Sequence, residues 1–62
     1  MKFKELLKAR KIKQIKFAEE LGVSTQLVTN WVKGYSKPNY EAVKKIAELL
    51  ELKVEEVIDC FI

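Results

Sequence analysis

The sequence predicts a compact all-α fold of five short helices, and three observations support this prediction. Apolar residues recur at helical spacing along most of the 62-residue chain. Both glycines, Gly22 and Gly34, directly follow such apolar segments, where helices end. Two residues that favour helix starts, Ser24 and Pro38, precede the next segments. A chain of this length forms one domain, which we expect to span residues 1–62.

The first two helices are predicted at Lys2–Lys11 and Gln14–Leu21. The apolar side of the first is formed by Phe3, Leu6 and Leu7, and Ile12 is expected to close over the core behind it. The inward side of the second is formed by Phe17, Ala18 and Leu21. Gly22 supplies the positive φ that stops this helix and begins a tight turn.

The third and fourth helices are predicted at Thr25–Lys33 and Tyr40–Leu50. Ser24 is a good N-cap for the third helix, and Gly34 ends it. Pro38 can start the fourth helix, because its fixed φ suits the first helical position. The apolar sides of these helices are formed by Leu27, Val28, Trp31 and Val32 and by Val43, Ile46, Ala47 and Leu50.

The last element, within residues 54–62, has two interpretations. Its apolar residues fit helical spacing, but the run from Val57 to Ile62 is rich in the β-branched and aromatic residues that strands prefer. Glu55 and Glu56 suit the first turn of a helix, where the helix dipole favours negative charge. We therefore favour a fifth helix over a strand.

The composition argues against several classes of protein. The chain has no histidine and one cysteine, Cys60, so it lacks the residues for a zinc site or a Cys–His nucleophile. The carboxylate pairs Glu19-Glu20 and Glu55-Glu56 are adjacent in sequence, and adjacent side chains do not face each other on a helix. No apolar run approaches the roughly 20 residues that cross a bilayer. We expect a cytoplasmic protein that is not an enzyme and has no metal, cofactor, small-molecule ligand or membrane partner.

Charge is unevenly distributed along the chain. Residues 1–37 hold nine Lys or Arg and three Asp or Glu, whereas residues 38–62 hold three and six. The basic part contains two short helical patterns, within Gln14–Gly34, that meet at Leu21-Gly22-Val23 in the layout of a helix-turn-helix. An ordinary solvated surface is the alternative, but the coincidence of basic charge with this motif favours binding to phosphate groups.

The region from Ile12 to Val54 resembles the Cro/phage-repressor-type (XRE) helix-turn-helix family. The resemblance rests on Gln14, Phe17-Ala18, Leu21-Gly22-Val23-Ser24, Trp31 and Lys33-Gly34 at these spacings. It implies a lambda-repressor-like domain of five helices, whose third helix recognises the major groove of double-stranded DNA. It also implies a homodimer on a near-palindromic operator.

Four polar residues of the third helix are the predicted base readers: Thr25, Gln26, Thr29 and Asn30. Glutamine and asparagine can pair with adenine through two hydrogen bonds, and threonine offers a hydroxyl and a methyl group for thymine. The helix has no arginine, which is the usual reader of guanine, so we predict A·T-rich half-sites. A solvated polar face is the alternative interpretation of these residues.

Contacts to the DNA backbone are predicted at both ends of the motif, at Lys13, Gln14, Lys33, Tyr35, Ser36 and Lys37. Tyr35 and Tyr40 have two interpretations, since each can stack on a sugar or cover the edge of the core. Trp31 is interpreted as a core residue, and Cys60 as a small buried hydrophobe.

The sequence departs from the family pattern at several positions. Lys13 stands where serine or threonine commonly caps the second helix, and Lys53 is a poor N-cap for the last element. Glu51 stands where glycine commonly ends the fourth helix. Leu7 and Val32 occupy the positions of a buried Arg–Glu pair, so we expect an apolar contact there.

The predicted function is that of a transcriptional regulator, a phage or bacterial repressor of the Cro kind that occupies an operator and blocks polymerase. A chain this short has a narrow stability margin alone, so self-association is expected. The apolar tail is the predicted dimer interface, formed by Val57, Ile58, Phe61 and Ile62. The alternative is a protein-interaction module, such as an antirepressor or antitoxin-like partner, that reuses the fold without reading bases.

Overall fold

Residues 2–62, which the computed structural model describes, form five α-helices and no strand. The helices are α1 (Phe3–Ala9), α2 (Gln14–Leu21), α3 (Thr25–Lys33), α4 (Tyr40–Leu50) and α5 (Val54–Asp59). The all-α prediction is confirmed, with α2, α3 and α4 at the predicted bounds. The last element is a helix, as favoured, and the strand alternative is wrong.

The first helix is shorter than the predicted Lys2–Lys11. It ends at Ala9, and Lys11 adopts a left-handed conformation with φ of 57°. The backbone N–H of Ile12 then donates to the carbonyl oxygen of Leu7 at 3.0 Å, which closes the end of the helix. The sequence gives no glycine here to mark the stop, and this explains why the predicted helix was too long.

Side-chain caps define where α3 and α4 begin. The Ser24 hydroxyl oxygen accepts a hydrogen bond from the backbone N–H of Leu27 at 3.1 Å, as predicted. The Asn39 Oδ1 accepts one from the N–H of Ala42 at 2.9 Å. Asn39 is therefore the cap of α4, which begins at the predicted Tyr40, and Pro38 lies before the cap.

Lysine precedes the other three helices, and a lysine side chain cannot accept a capping hydrogen bond. At α1 and α5 a glutamate in the first turn compensates: Glu5 Oε1 accepts from the N–H of Lys2 at 2.9 Å, and Glu56 Oε1 accepts from the N–H of Lys53 at 3.3 Å. Helix α2 has no acidic residue in its first turn and no side-chain cap. Its N-terminus keeps the positive end of the helix dipole uncompensated.

Left-handed residues end α2, α3 and α4. Gly22 and Gly34 adopt this left-handed conformation after α2 and α3, with φ of 76° and 80°. Glu51 fills it after α4 with φ of 57°, which crowds its Cβ against the backbone. Arg10 supports this end from the side, since its Nη1 donates to the carbonyl oxygen of Leu50 at 2.8 Å.

The core lies between all five helices and is entirely apolar among the described residues. Phe3 is at its centre, with ring centroids 5.5 Å from Phe17, 6.3 Å from Trp31 and 4.9 Å from Phe61. Trp31 is buried, which confirms its interpretation as a core residue. Leu7 is buried and Val32 packs half-buried against the core, so apolar side chains occupy both positions where the resemblance implies an Arg–Glu pair.

Cys60 is also buried, and its thiol donates to the carbonyl oxygen of Glu56 at 3.4 Å. Burial raises the pKa of this thiol above its ordinary value of 9.0, because the thiolate would lose its hydration. The side chain therefore behaves as a small hydrophobe, as predicted.

Candidate nucleic-acid interface

Helix α3 presents one polar face away from the core. Val28 and Trp31 are buried on its inner side and fix its orientation, and α2 packs along it. Thr25 and Gln26 are exposed at the N-terminal end, and Thr29 and Asn30 are half-buried one turn later. The predicted base readers therefore form two pairs at i,i+4 spacing on one face, hereafter the recognition face (Thr25, Gln26, Thr29 and Asn30).

A hydrogen bond joins the second of these pairs. Gln26 Nε2 donates to Asn30 Oδ1 at 3.0 Å. Gln26 keeps one N–H and its carbonyl oxygen, the donor and acceptor that adenine N7 and N6 require. The two amides thus restrict each other's rotamers before any DNA is bound, which reduces the entropy lost when they pair with a base.

The hydroxyl of Thr29 is directed to the other helix of the motif. Its Oγ1 donates to Oε1 of Gln14 at 2.8 Å in a partly buried contact. The Thr29 hydroxyl proton is therefore engaged within the protein, and a base contact by Thr29 would depend on its methyl group or on the lone pairs of its hydroxyl oxygen. Because the Gln14 carbonyl oxygen accepts this hydrogen bond, the two N–H donors of the Gln14 amide point away from Thr29.

The N-terminus of α2 combines three features that suit a phosphate. Lys13 is exposed directly before the helix, and Gln14 is its first residue. The first-turn backbone N–H groups have no side-chain cap, so the positive end of the dipole faces outwards. A backbone phosphate placed here would meet the Gln14 amide, the ammonium of Lys13 and free N–H groups.

The turn after α3 exposes most of its predicted phosphate contacts. Lys33 and Lys37 are exposed, and Tyr35 is 76% exposed with its ring centroid 5.9 Å from Lys33 Nζ. Ser36 differs, because its Oγ is buried and has no hydrogen-bond partner among the described residues. Its hydroxyl cannot reach a phosphate in this conformation, which corrects its predicted role. Tyr40 is 61% exposed beside Lys44 and does not cover the core.

The apolar tail is divided between core and surface. Val57 is fully buried and has no surface to offer a second copy, so its assignment to the dimer interface is wrong. Phe61 is half-buried because its ring lies against Phe3. Ile58 and Ile62 are 39% and 77% exposed. The sequence pattern could not separate these residues, because all of them are apolar and α5 has only six residues.

Two lysines near the recognition face were not predicted. Lys2 and Lys4, at the start of α1, line a cleft together with Lys33 and Lys37. No sequence signal connects residues about thirty positions apart, so this convergence is visible only in the fold. Among the described residues, no group of three or more His, Cys, Asp or Glu side chains is arranged to hold a metal ion. Within residues 2–62 no helix has the length and apolar character needed to cross a membrane.

Comparison with known families agrees with this geometry. The family model described as Helix-turn-helix matches residues 3–57, which contain α1–α4 and most of α5. No curated protein and no solved structure matches the chain. The family match covers most of the chain and includes both helices of the motif with the recognition face. The protein therefore belongs to the helix-turn-helix family of Cro/C1 (XRE) type, a family of DNA-binding transcription regulators.

Proposed function

We propose that the protein binds a specific double-stranded DNA sequence as a homodimer and acts as a repressor of the Cro kind. The observation that supports this most is the recognition face, a polar surface held outward by the buried Val28 and Trp31. Lysines flank both of its ends, with Lys13 before α2 and Lys33 after the face. A module that bound only proteins would not require this combination.

The proposed reading of bases depends on Gln26 and Asn30, with Thr25 beside them. A glutamine or asparagine paired with adenine by two hydrogen bonds discriminates by about 1–3 kcal/mol against the wrong base. Helix α3 has no arginine for guanine. We therefore propose half-sites rich in A·T pairs, read mainly by these three residues.

The proposed mechanism is occupancy of an operator that overlaps the binding site of polymerase, in the cytoplasm of a bacterium or a phage-infected cell. One domain with Cα extents of 24 × 23 × 21 Å covers one half-site. Two copies side by side suit half-sites about 34 Å apart on one face of the duplex. The exposed apolar residues of the tail, Ile58 and Ile62 with the edge of Phe61, are the proposed contact between them.

Selection from a random duplex pool at near-physiological salt tests this proposal, with sequencing of the enriched fragments. We expect an inverted repeat of A·T-rich half-sites with fixed spacing. A matched variant, Gln26→Ala with Asn30→Ala, should lose the sequence preference but keep salt-dependent binding.

Two other results would revise the proposal. A single half-site would support specific reading without a stable dimer. Absence of enrichment, with binding that fades as salt rises, would contradict specific recognition and favour the antirepressor or antitoxin-like alternative.

A further inference from the structure

The N-terminal end of α1 and the turn after α3 enclose a cleft of about 520 Å³. Its floor is apolar and includes parts of Phe3, Trp31 and Phe61. Its rim carries four exposed lysines, which define it hereafter as the lysine cleft: Lys2, Lys4, Lys33 and Lys37. Lys2 and Lys4 precede the helix-turn-helix in sequence, whereas Lys33 is the last residue of α3 and Lys37 lies in the turn after it. Only the fold brings the four lysines together.

The charges around the lysine cleft are poorly compensated. Among residues 2–62, the ion pairs are Lys16–Glu20 and Lys44–Glu41, and neither includes a lysine of the cleft. Glu5 is the one Asp or Glu side chain that lines it, and its Oε1 already accepts a hydrogen bond from the backbone N–H of Lys2. Like charges gathered in this way repel one another, and an anion between them would remove that cost.

One lysine of the cleft is held in place. Lys2 Nζ donates to a main-chain oxygen of Ile62 at 3.1 Å. An ammonium group has three donors, so two remain for an anion. The contact restricts the long side chain before binding, which reduces the entropy lost on forming a further contact.

The lysine cleft is continuous with the recognition face. Lys33 follows Asn30 by three residues and Thr29 by four on α3, so its side chain extends the same helix face towards the cleft. Lys37 lies in the turn that leaves this helix. A duplex docked on the recognition face would thus have its backbone beside the cleft.

We propose that the lysine cleft binds the DNA backbone, with Lys2 and Lys4 contacting phosphates next to the half-site that α3 reads. The N-terminal end of α1 is then part of the DNA interface, although it lies outside the helix-turn-helix. This inference rests on the proposed function, because it requires that the recognition face binds duplex DNA. The contacts add affinity and fix orientation but carry no sequence preference.

The salt dependence of binding to the selected duplex tests this proposal. Each phosphate contact contributes about 0.9 to the slope of log K against log salt concentration. Replacing both residues, in Lys2→Gln/Lys4→Gln, should make this slope less steep by about 1.8 and leave the selected sequence unchanged. The matched control is Lys44→Gln/Lys45→Gln, which removes the same charge from exposed positions of α4 and should change the slope much less.

Acetylation of lysine amines, read by mass spectrometry, provides a second measurement on the unaltered protein. Bound duplex should protect Lys2 and Lys4 but not Lys44 and Lys45. Equal slopes for the two double variants, or equal acetylation with and without DNA, would overturn the assignment of the cleft while leaving the proposed function standing. Failure of the unaltered protein to bind any selected duplex would instead contradict the proposed function, and this inference with it.

Discussion

Thr29 connects the two helices of the motif through one hydrogen bond. Its position on the recognition face made a base contact the natural prediction, but its hydroxyl donates to Gln14 Oε1 at 2.8 Å. A glutamine amide is free to rotate unless one of its ends is held, and Thr29 holds the oxygen. The consequence is that the Gln14 N–H groups are directed away from Thr29 and remain free for a phosphate. We therefore propose that Thr29 positions Gln14 for a contact to the DNA backbone.

Replacing Thr29 with valine tests this role, because valine keeps the shape and removes the hydroxyl. We expect Thr29→Val to weaken DNA binding by about 1 kcal/mol, or roughly 5-fold, on every sequence alike. Thr29→Ser, which keeps the donor, should bind nearly as the unaltered protein. In a protein that already carries Gln14→Ala, adding Thr29→Val should weaken DNA binding little further, because the Gln14 amide that Thr29 positions is gone. Fluorescence anisotropy with labelled duplexes measures these affinities, and a loss of preference at one base pair would instead make Thr29 a base reader.

Cys60 links stability to alkaline pH. Burial raises the pKa of its thiol in the folded protein, so the folded state retains the proton to higher pH than the unfolded chain does. The stabilisation is complete below the ordinary pKa of 9.0 and is lost as pH rises above it. We expect the free energy of unfolding to fall between pH 8 and pH 10 more steeply than in Cys60→Ala, as measured in urea. Parallel decreases in both proteins would contradict this.

At the scale of the helix, the sequence predicted most where side chains act locally. The bounds of α2 and α3 follow from Gly22, Ser24 and Gly34, which act on the backbone within a few residues. The end of α1 was missed because Lys11 adopts a left-handed conformation that its residue type does not indicate. The start of α4 was predicted correctly, although its cap is the side chain of Asn39, which follows Pro38 directly.

The backbone at the C-terminal end of α4 is strained, and a single substitution can relieve this strain. Glu51 has φ of 57°, a conformation that glycine adopts without a Cβ penalty. We expect Glu51→Gly to stabilise the fold by about 0.5–1 kcal/mol, because relief of this strain exceeds the added flexibility of the unfolded chain. In a domain of this size the melting temperature should rise by about 2–8 °C, as measured by circular dichroism.

Two controls separate backbone strain from other effects. Glu48→Gly removes the same charge inside α4 and should destabilise the fold by about 1 kcal/mol. Gly34→Ala should cost a similar amount through the backbone alone, because no atom beyond the adjacent residues lies within 4 Å of the added Cβ. A lower melting temperature in Glu51→Gly would mean that the glutamate side chain compensates for its strained backbone.

At the scale of the whole molecule, the sequence predicted the motif but not the neighbours that packing gives it. Val57 and Ile58 are consecutive apolar residues, yet the first is fully buried and the second is 39% exposed. Ser36 stands in a polar turn, but its hydroxyl is buried. Such differences depend on how α5 and the turn lie against the rest of the fold. These packing differences determine which apolar side chains stay exposed and could contact a second copy of the chain.

The surface proposed for a second copy is small and mostly apolar. Ile58, Phe61 and Ile62 line a shallow groove of about 160 Å³ that also includes Lys37, Pro38 and Val43. In a dimer with two-fold symmetry the same patch contacts itself, so residues of one copy fill the groove of the other. Phe61 is unsuitable for a test by substitution, because its ring packs on Phe3 and a charge there would disturb the core.

Ile58→Lys combined with Ile62→Lys tests this interface without touching the core. Both side chains are exposed in one copy, so the fold should be retained, whereas four buried ammonium groups in the dimer would strongly oppose association. Sedimentation should show monomers, and selection should return single half-sites in place of inverted repeats. Leu49→Lys is the control, since Leu49 is 37% exposed on α4 and does not line the groove. If the double variant still sediments as a dimer, the contact between the two copies lies elsewhere on the surface.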